Sequence, residues 1–287
     1  MYSSDISKNL IQTVQELSST SNCDFFGGKH YLIPNNAKIK TALELLEAVI
    51  LPYCYSYPAS TDSIEYFIGR DLNIAVEIFK EQIFNAVKLN FTSATDIEAA
   101  ELTESAIISL IKELPKIRQY IIREIDTAFR YDPAAKSLVE VLICYPALKT
   151  LLYHKIAHEL YLSEIPVIPR MVNEIAHSLT GIDIHPGAEI GEAFFIDHGT
   201  GIIIGETTII GNNVKIYQGV TLGAKSAALD ENGKPMRGIP RHPIIEDDVI
   251  IYPNTTILGR VIIGKGSIIG GNMWLIKDVP PNSRISL

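Results

Sequence analysis

Histidines in the C-terminal part of this sequence have aspartates close to them. The three histidines are His185, His198 and His242, and Asp183, which is 15 residues from His198, and Asp197 are among the charged residues around them. A carboxylate beside an imidazole fixes the tautomer of the ring and stabilises the imidazolium that forms when the ring takes a proton. Such a pair can supply a general base that activates a hydroxyl group. His198 can also be a surface histidine that hydrogen-bonds to a turn, and this alternative stays open at this point.

A metal site is the second kind of chemistry to consider, because zinc is often bound through three histidines. His185, His198 and His242 are separated by 13 and 44 residues, so they contain no close pair. His154 and His158 have the i, i+4 spacing of metal ligands on a helix, but the HExxH pattern is absent and no third ligand is evident. We therefore expect no metal.

The element that carries these histidines is marked by apolar residues that recur with a period of six from about residue 181. The first row holds Ile184, Ile190, Ile196, Ile202, Thr208, Val214 and Val220, and a second row, two residues later, holds Ile204, Ile210, Ile216 and Leu222. The period resumes at Ile251, Ile257, Ile263, Ile269 and Leu275. A fixed six-residue period indicates a parallel β-helix, in which stacked coils bury one apolar column. A β-sandwich is disfavoured because its strands turn at variable spacing.

Hexapeptide β-helices are left-handed, so we predict a left-handed parallel β-helix domain at 181–287. Three six-residue units close one coil of about 18 residues. Asp183 and His198 are 15 residues apart and should lie on adjacent coils with a small lateral offset. Residues 224–240 break the period and are rich in Gly, Pro and charge. We predict that they form a loop outside the coil, and a loop of this length is more often functional than idle.

The N-terminal part, residues 1–180, is predicted to be an all-helical domain, which gives an α+β fold class. Apolar residues at helical spacing mark Thr41–Ile50 and Ala147–Tyr161. Thr95 and Glu98 have the spacing of a capping box at the start of a helix. Pro115 is expected to interrupt that helix.

Composition limits the classes of function. Hydrophobic residues make up 47% and charged residues 20% of the chain, which is typical of a globular protein. The formal net charge of -8 argues against a nucleic-acid partner. Three widely spaced cysteines without a CxxC motif indicate a reducing compartment. We see no signal peptide and no apolar stretch of membrane-spanning length, so we expect a cytoplasmic protein without a membrane partner.

Several short motifs are specific enough to compare with a known family. In the β-helix part they are Asp183–Pro186 (DIHP), Asp197–Thr207 (DHGTGIIIGET), Gly219–Gly223 (GVTLG), Arg241–Pro243 (RHP) and Val279–Pro281 (VPP). In the helical part they are Arg130–Ala134 (RYDPA), Tyr145–Pro146, His154 and Ile156–His158. Together these motifs resemble the serine acetyltransferase family over roughly residues 118–281. Residues 1–117 look like the extension of longer members.

The resemblance implies transfer of an acetyl group from acetyl-CoA to the hydroxyl of L-serine, giving O-acetylserine for cysteine synthesis. His198 would be the base and Asp183 its partner. Asp132 and Asp197 would bind the ammonium group of serine, and Arg241 its carboxylate, which suits a guanidinium fork. The other residues implied at the serine pocket are His242 and Glu206.

The resemblance also implies a path for acetyl-CoA between neighbouring subunits, along the coils near Gly223, Pro253 and Gly271. The backbone N–H of Ala224 would face the thioester oxygen. The family has Gly-Gly where this sequence has Gly223 and Ala224, and Asn272–Leu275 replaces a segment of small residues near the expected path. This second departure leaves room for a different acyl group.

The partners implied by the resemblance are further copies of the same chain. Family members are homotrimers through the β-helix, often paired into hexamers through the helical domains, and commonly inhibited by cysteine at the serine site. They dock a C-terminal tail into O-acetylserine sulfhydrylase. This sequence ends at Leu287, soon after Pro281, so that complex is left open.

Other readings of the same residues remain. Asp132 before Pro133 fits a helix N-cap, and Arg241 fits a solvated loop cation. Another hexapeptide O-acyltransferase, acting on a sugar, an antibiotic or a different amino-acid alcohol, is the second functional hypothesis. A non-catalytic β-helix that serves as an interaction module is the third hypothesis.

Overall fold

The chain changes from helices to short strands between Thr180 and Asp183. The computed structural model describes residues 4–19, 32–52, 54, 64–226 and 230–286. Met1–Ile33 is one compact unit, which contains helix α1 (Ser4–Ser19), and Pro34–Leu287 is the other. The second unit contains helices and strands alike, so the predicted domain boundary after residue 180 stays a prediction.

Six helices of the described part of the second unit precede the strands. They are α2 (Asn36–Ile50), α3 (Ile64–Asn90), α4 (Asp96–Tyr131), α5 (Leu138–Cys144), α6 (Pro146–Leu162) and α7 (Ile168–Thr180). The predicted capping box is present at the start of α4, where Thr95 and Glu98 each accept the other's backbone N–H.

The expected break at Pro115 is wrong, because α4 continues through this residue. A proline inside a helix removes one backbone hydrogen bond. Here Leu114 and Ile117, on either side of it, are buried in the core. Tertiary packing contributes more to a helix than local propensity does, and it keeps α4 intact.

Fourteen short strands of the described chain stack into three parallel sheets. Sheet A consists of β1 (Asp183–Ile184), β4 (Ile203–Ile204), β7 (Thr221–Gly223), β10 (Thr256–Leu258) and β13 (Trp274–Leu275). Sheet B consists of β2 (Glu189–Ile190), β5 (Ile209–Ile210), β8 (Ile244–Ile245) and β11 (Ile262–Ile263). Sheet C consists of β3 (Phe195–Asp197), β6 (Lys215–Tyr217), β9 (Ile250–Ile251), β12 (Ile268–Ile269) and β14 (Arg284–Ile285). The chain visits the sheets in turn, so each coil is a triangle with one strand on each side.

Two rows of inward side chains fill this triangular prism. One row contains Ile184, Ile190, Ile196, Ile204, Ile210, Ile216, Leu222, Ile245, Ile251, Ile257, Ile263 and Ile269, all buried. The other row lies two residues earlier in each repeat and contains Ile182, Ala188, Phe194, Ile202, Thr208, Val214 and Val220, also buried. The predicted continuation of the first row from Ile196 to Ile202 is therefore wrong. Ile184 pairs with Ile204, and Ile204 pairs with Leu222, so the first coil is two residues longer than the second.

The loop at 224–240 leaves the coil between sheets A and B, as predicted. Strand β7 on one side of the loop pairs directly with β10 of the next coil, with Leu222 opposite Ile257. Strand β5 likewise pairs with β8, with Ile210 opposite Ile245. The insertion therefore leaves the apolar column continuous.

Helices α4 and α6 lie against the first coil of the β-helix. The Lys155 ammonium donates to the Ile190 carbonyl at 2.7 Å, and the Ala193 N–H donates to the Glu124 carboxyl at 2.8 Å. Burial is the main cause that raises the pKa of Glu124, to about 8. Phe195 packs in the same region among buried residues of the helices. These contacts fix the helical residues relative to the coil.

The described helices include none with the length and apolar character needed to cross a bilayer. Cys54 and Cys144 carry free thiols, and Cys23 lies outside the described residues.

The inward assignment predicts a large difference between two neighbouring isoleucines. Ile263 is fully buried in the column, whereas Ile262 points outward and is 39% exposed. Ile263→Ala should lower the free energy of unfolding by about 2–5 kcal/mol, because it removes buried carbons and leaves a cavity. Ile262→Ala, the matched control, should lower it by about 1 kcal/mol or less. Urea denaturation followed by circular dichroism measures both, and equal losses would contradict the assignment.

Candidate active site

The residues selected from the sequence collect at two edges of the prism. We call the turns that join sheet C to sheet A, at 198–202, 218–220, 252–255 and 270–273, the His198 edge. We call the turns that join sheet A to sheet B, at 185–188, 205–208 and 224–243, the Arg241 edge. Backbone hydrogen bonds stack the turns of the His198 edge, from Gly219 N–H to Thr200 O at 3.0 Å and from Asn272 N–H to Pro253 O at 2.9 Å. Sheet A separates the two edges.

His198 lies in the turn that contains the two extra residues of the first coil. Its backbone has a left-handed conformation, with φ of 58°. The next residue, Gly199, has φ of 89°, and a β-carbon there would come within 2.5 Å of Ile182. The His198 side chain is 72% exposed, and its Nε2 lies 3.9 Å from Oδ1 of Asp197. The turn therefore presents an imidazole at the surface of the edge, beside a carboxylate.

Asp183 begins β1, at the end of sheet A that adjoins the His198 edge. The predicted placement of Asp183 and His198 on adjacent coils fits this geometry, because Asp183 pairs with Ile203 of the next coil. The contact made by the Asp183 carboxylate is with Arg170, at 3.7 Å. No hydrogen bond or ion pair joins Asp183 to His198 in the described chain, so their catalytic partnership stays a prediction.

Asp132 and Asp197, the predicted ammonium ligands, are brought towards the same region because Tyr131 and Tyr145 pack around Phe195. Asp132 ends α4, and its Oδ1 accepts the Ala134 N–H at 2.8 Å, so Asp132 forms a turn and is not a helix N-cap. Its Oδ2 accepts the Tyr145 hydroxyl, and this hydrogen bond is the main cause that raises the pKa of Tyr145 to about 12. Burial is the main cause that raises the pKa of Tyr217, and the carboxylates of Asp197 and Asp132 are among the further causes. Two carboxylates thus face the same region.

Arg241 lies at the Arg241 edge, where the loop rejoins the coil. Its guanidinium donates to Oε2 of Glu206 at 2.6 Å, and the Arg241 side chain is 32% exposed. Its backbone N–H donates to the Thr207 hydroxyl at 2.9 Å. The alternative of a solvated loop cation is therefore wrong, because an ion pair and partial burial hold the side chain in place.

His242 is buried beside Arg241 and has a defined tautomer. Its Nδ1 accepts the Thr207 backbone N–H at 3.1 Å, so the proton of the neutral ring is on Nε2. Burial, followed by the charge of Arg241, lowers the pKa of His242 to about 4. Gly205 makes room for the ring, since a β-carbon there would come within 2.1 Å of it. At neutral pH His242 is therefore an uncharged hydrogen-bond donor.

The residues predicted to contact acetyl-CoA are divided between the two edges. Pro253 and Gly271 lie in successive turns of the His198 edge, and a β-carbon on Gly271 would be 3.0 Å from the Pro253 carbonyl. Gly223 ends β7 and Ala224 follows it at the Arg241 edge. Ala224 does not have a positive φ, so its β-carbon causes no backbone strain. Trp274, in the segment that departs from the family pattern, is 65% exposed on sheet A.

The two histidines with metal-like spacing have structural contacts instead. His154 is buried, and burial is the main cause that lowers its pKa well below the usual range. His158 uses Nδ1–H to donate to the Pro186 carbonyl at 2.8 Å. Elsewhere in the described chain, Glu174, His177 and Asp183 form a cluster of potential ligands. Arg170 forms ion pairs with two of its members, Glu174 and Asp183, so a cation already faces them.

Sequence reasoning gave no role to three residues that the structure brings to the site. The Thr207 hydroxyl accepts the backbone N–H groups of Arg241 and His242 and lies 2.9 Å from Nδ1 of His242. Tyr145 contacts Asp132, and Tyr161 lies near His185. Thr207 and Tyr145 belong to matched motifs, which was the available signal. Tyr161 had no signal, because only the packing of α6 brings it to the coil.

Comparison with known proteins supports an assignment for this geometry. Residues 242–272 match the bacterial transferase hexapeptide (six repeats) family. A relative from Synechococcus elongatus, named serine acetyltransferase, plasmid, is 43% identical over 262 residues, which cover 89% of this chain and 82% of the relative. The serine acetyltransferase of Bacillus subtilis is 45% identical over 162 residues, which cover 56% of this chain and 70% of the relative.

Solved structures give the same result. Entamoeba histolytica serine acetyltransferase 1 in complex with L-cysteine has a TM-score of 0.76 and 33% identity, with 86% of both chains covered. Soybean serine acetyltransferase complexed with serine has a TM-score of 0.56 and 26% identity, and covers 86% of this chain and 95% of the soybean chain. The predicted helices followed by a left-handed β-helix are confirmed by these matches.

The low pKa of His242 predicts how stability depends on pH. A histidine in an unfolded chain titrates at about 6.5, whereas His242 in the folded chain titrates at about 4. Between these values the unfolded chain binds a proton that the folded chain excludes. The stability that depends on a neutral His242 ring is therefore complete above pH 6.5 and is lost as the pH falls towards 4. Urea denaturation at pH 7, 6 and 5 should show a smaller loss for His242→Gln than for the wild type.

The control for this experiment is His177→Gln, at a histidine whose side chain is 43% exposed on α7. It reports what a change from histidine to glutamine does by itself at a partly exposed position. A His242→Gln variant with the same pH dependence as the wild type would contradict the assignment of a buried neutral ring.

Proposed function

This chain belongs to the serine acetyltransferase family, and from that premise we propose that it transfers the acetyl group of acetyl-CoA to the hydroxyl of L-serine. Members of this family are acyltransferases. The observation that carries the proposal is the exposed His198 imidazole, whose Nε2 lies 3.9 Å from the Asp197 carboxylate. A base beside a carboxylate suits a substrate that carries a hydroxyl and an ammonium group.

The proposed reaction is a direct transfer. His198 takes the proton of the serine hydroxyl, and the serine oxygen forms a bond to the thioester carbonyl carbon. The tetrahedral intermediate collapses, the carbon–sulfur bond breaks, and the imidazolium returns its proton to the leaving thiolate. The products are O-acetylserine and CoA. Asp183 would stabilise the imidazolium, which its place at the same edge supports.

Both charged ends of serine have counterparts among the described residues. Asp132 and Asp197 would bind the ammonium, and Arg241 would bind the carboxylate as a charge-assisted pair. The Nε2–H of His242 would donate a second hydrogen bond to that carboxylate. Glu206 would act through Arg241, since the two side chains form an ion pair at 2.6 Å.

Acetyl-CoA would lie along the His198 edge near Pro253 and Gly271, and would meet Gly223 and Ala224 from the Arg241 edge. The backbone N–H of Ala224 would donate to the oxyanion that develops on the thioester. We propose that the reaction needs no metal, because side chains and backbone groups account for each step.

The arrangement of the two edges supports a site between copies of the chain. The His198 side chain is 72% exposed, and no contact of the described chain joins it to Arg241. A catalytic base works best in a cleft that excludes water, and a second copy would supply the other wall. We therefore propose a homotrimer, alone or as half of a hexamer, in which the His198 edge of one copy meets the Arg241 edge of the next.

A cytoplasmic location and inhibition by cysteine complete the proposal. The free thiols of Cys54 and Cys144 suit a reducing compartment. The Entamoeba histolytica structure contains L-cysteine. Cysteine has the same ammonium and carboxylate groups as serine, so the same side chains would bind it.

Removal of the base is the direct test of the mechanism. His198→Asn should lower kcat by about 100-fold or more, the usual scale for a general base. Asparagine tolerates the left-handed backbone of this position, so the fold should survive. Release of the CoA thiol, measured with acetyl-CoA and L-serine, gives the rate. Asn213→Ala is the control for backbone effects, because Asn213 has the same φ of 58° in a turn at another edge. Near-normal kcat in His198→Asn would refute the mechanism.

Mixed assemblies test whether the site lies between copies. His198→Asn and Arg241→Ala should each have little activity at low serine when expressed alone. When the two variants are coexpressed and assemble at random, about one quarter of the sites should combine an intact His198 with an intact Arg241 from the neighbouring copy. Activity should therefore reappear in purified mixed trimers. If both residues acted within one chain, every site would carry a defect, and no activity would return.

A further inference from the structure

Helix α6 places a tyrosine at each of its ends: Tyr145 contacts Asp132 at the end of α4, and Tyr161 lies against the Arg241 edge. Tyr145 occupies the N-cap position directly before Pro146, and Tyr161 is the penultimate residue of the helix. The helix has 17 residues and a length of about 25 Å at the usual rise per residue. One rigid element therefore joins the region of Asp132 to the Arg241 edge.

At the first end of α6, the Tyr145 hydroxyl donates to Oδ2 of Asp132. The other oxygen, Oδ1, accepts the Ala134 N–H at 2.8 Å. With both oxygens engaged, the carboxylate of Asp132 has one fixed orientation. Because a tyrosine hydroxyl is a neutral donor, it orients the carboxylate without cancelling the negative charge that an ammonium group would need.

At the other end of α6, Tyr161 packs against the Arg241 edge. Its ring makes an edge-to-face contact with His185, with centroids 6.0 Å apart. A β-carbon on Gly187 would lie 3.0 Å from both the Tyr161 hydroxyl and the Glu206 carbonyl, so the hydroxyl and Glu206 border the same small space. Burial, and then the charge and hydrogen bond of Glu206, raise the pKa of Tyr161. Glu206 in turn holds the Arg241 guanidinium at 2.6 Å.

Between its ends, α6 is anchored to both the core and the coil. Lys155 donates to the Ile190 carbonyl at 2.7 Å, and His158 donates to the Pro186 carbonyl at 2.8 Å. Its buried residues include Leu151, Leu152, Tyr153, Ile156, Ala157 and Leu160. A helix fixed at its middle in this way can hold groups at both ends in place.

We infer that α6 positions the two groups that bind the charged ends of the acceptor. Tyr145 orients Asp132, and Tyr161 orients Arg241 through Glu206. This inference rests on the proposed function. Neither tyrosine is assigned a contact with substrate, so both are positioning residues. Tyr145 sets recognition of the ammonium group, and Tyr161 sets recognition of the carboxylate group.

Acceptors that lack one charge distinguish this role from a general structural one. Ethanolamine has the hydroxyl and the ammonium group but no carboxylate, and 3-hydroxypropanoate has the hydroxyl and the carboxylate but no ammonium. Tyr161→Phe should weaken the use of L-serine and 3-hydroxypropanoate by about tenfold, mainly through KM, and leave ethanolamine unchanged. Tyr145→Phe should weaken L-serine and ethanolamine by a similar factor and leave 3-hydroxypropanoate unchanged. Calorimetric binding of the three compounds measures the same discrimination without turnover.

Tyr153→Phe is the matched control, because Tyr153 lies in the middle of α6 with its ring under Lys149, at 5.7 Å. It should affect all three acceptors equally or not at all, and thermal unfolding of each variant reports any general damage to the fold. The inference is wrong if Tyr145→Phe and Tyr161→Phe alter the three acceptors to the same extent, or alter none of them. If the wild-type chain binds L-serine with this discrimination but releases no CoA thiol, the proposed function is wrong and the inference about α6 still holds.

Discussion

The inward side chains of the β-helix set the position of every outward residue around them. Each repeat must return two side chains to the column, because a single coil cannot bury its own apolar surface. The register of neighbouring coils then follows, with Asp197 directly beside Tyr217, for example. An outward side chain therefore has a fixed height and a fixed side of the triangle. Site residues on such a framework are held by the column itself, which gives them the precision that a loop rarely provides.

Two residues of the candidate site, His198 and Arg241, lie where the period is broken. Two extra residues lengthen the first coil, and the turn that contains them carries His198. The loop at 224–240 rejoins the coil at Arg241. Both insertions leave the column intact, since Ile184 still pairs with Ile204 and Leu222 still pairs with Ile257. An edge turn can thus change in length and composition while the coils above and below keep their register. Residues of a functional site can therefore be placed there without loss of the core.

Local periodicity was enough to predict the helices, the coil and the loop. It was not enough where a distant contact decides the outcome. Pro115 does not end α4, because packing on both sides outweighs one lost hydrogen bond. The exchange of rows at Ile202 depends on how the first coil pairs with the second. The contact of Tyr161 at the Arg241 edge depends on where α6 lies against the coil, which no spacing in the sequence records.

Two groups of the candidate site, Tyr145 and His242, have pKa values far from neutral pH. Tyr145, with a pKa of about 12, and His242, with a pKa of about 4, keep their protonation states throughout the physiological range. Both therefore remain neutral hydrogen-bond donors while a substrate enters and leaves. The Arg241 guanidinium is paired with the Glu206 carboxylate, so it is not an isolated, partly buried cation, which would be costly. With the surrounding groups fixed in this way, the proposed function leaves transfer of the hydroxyl proton to the exposed imidazole of His198.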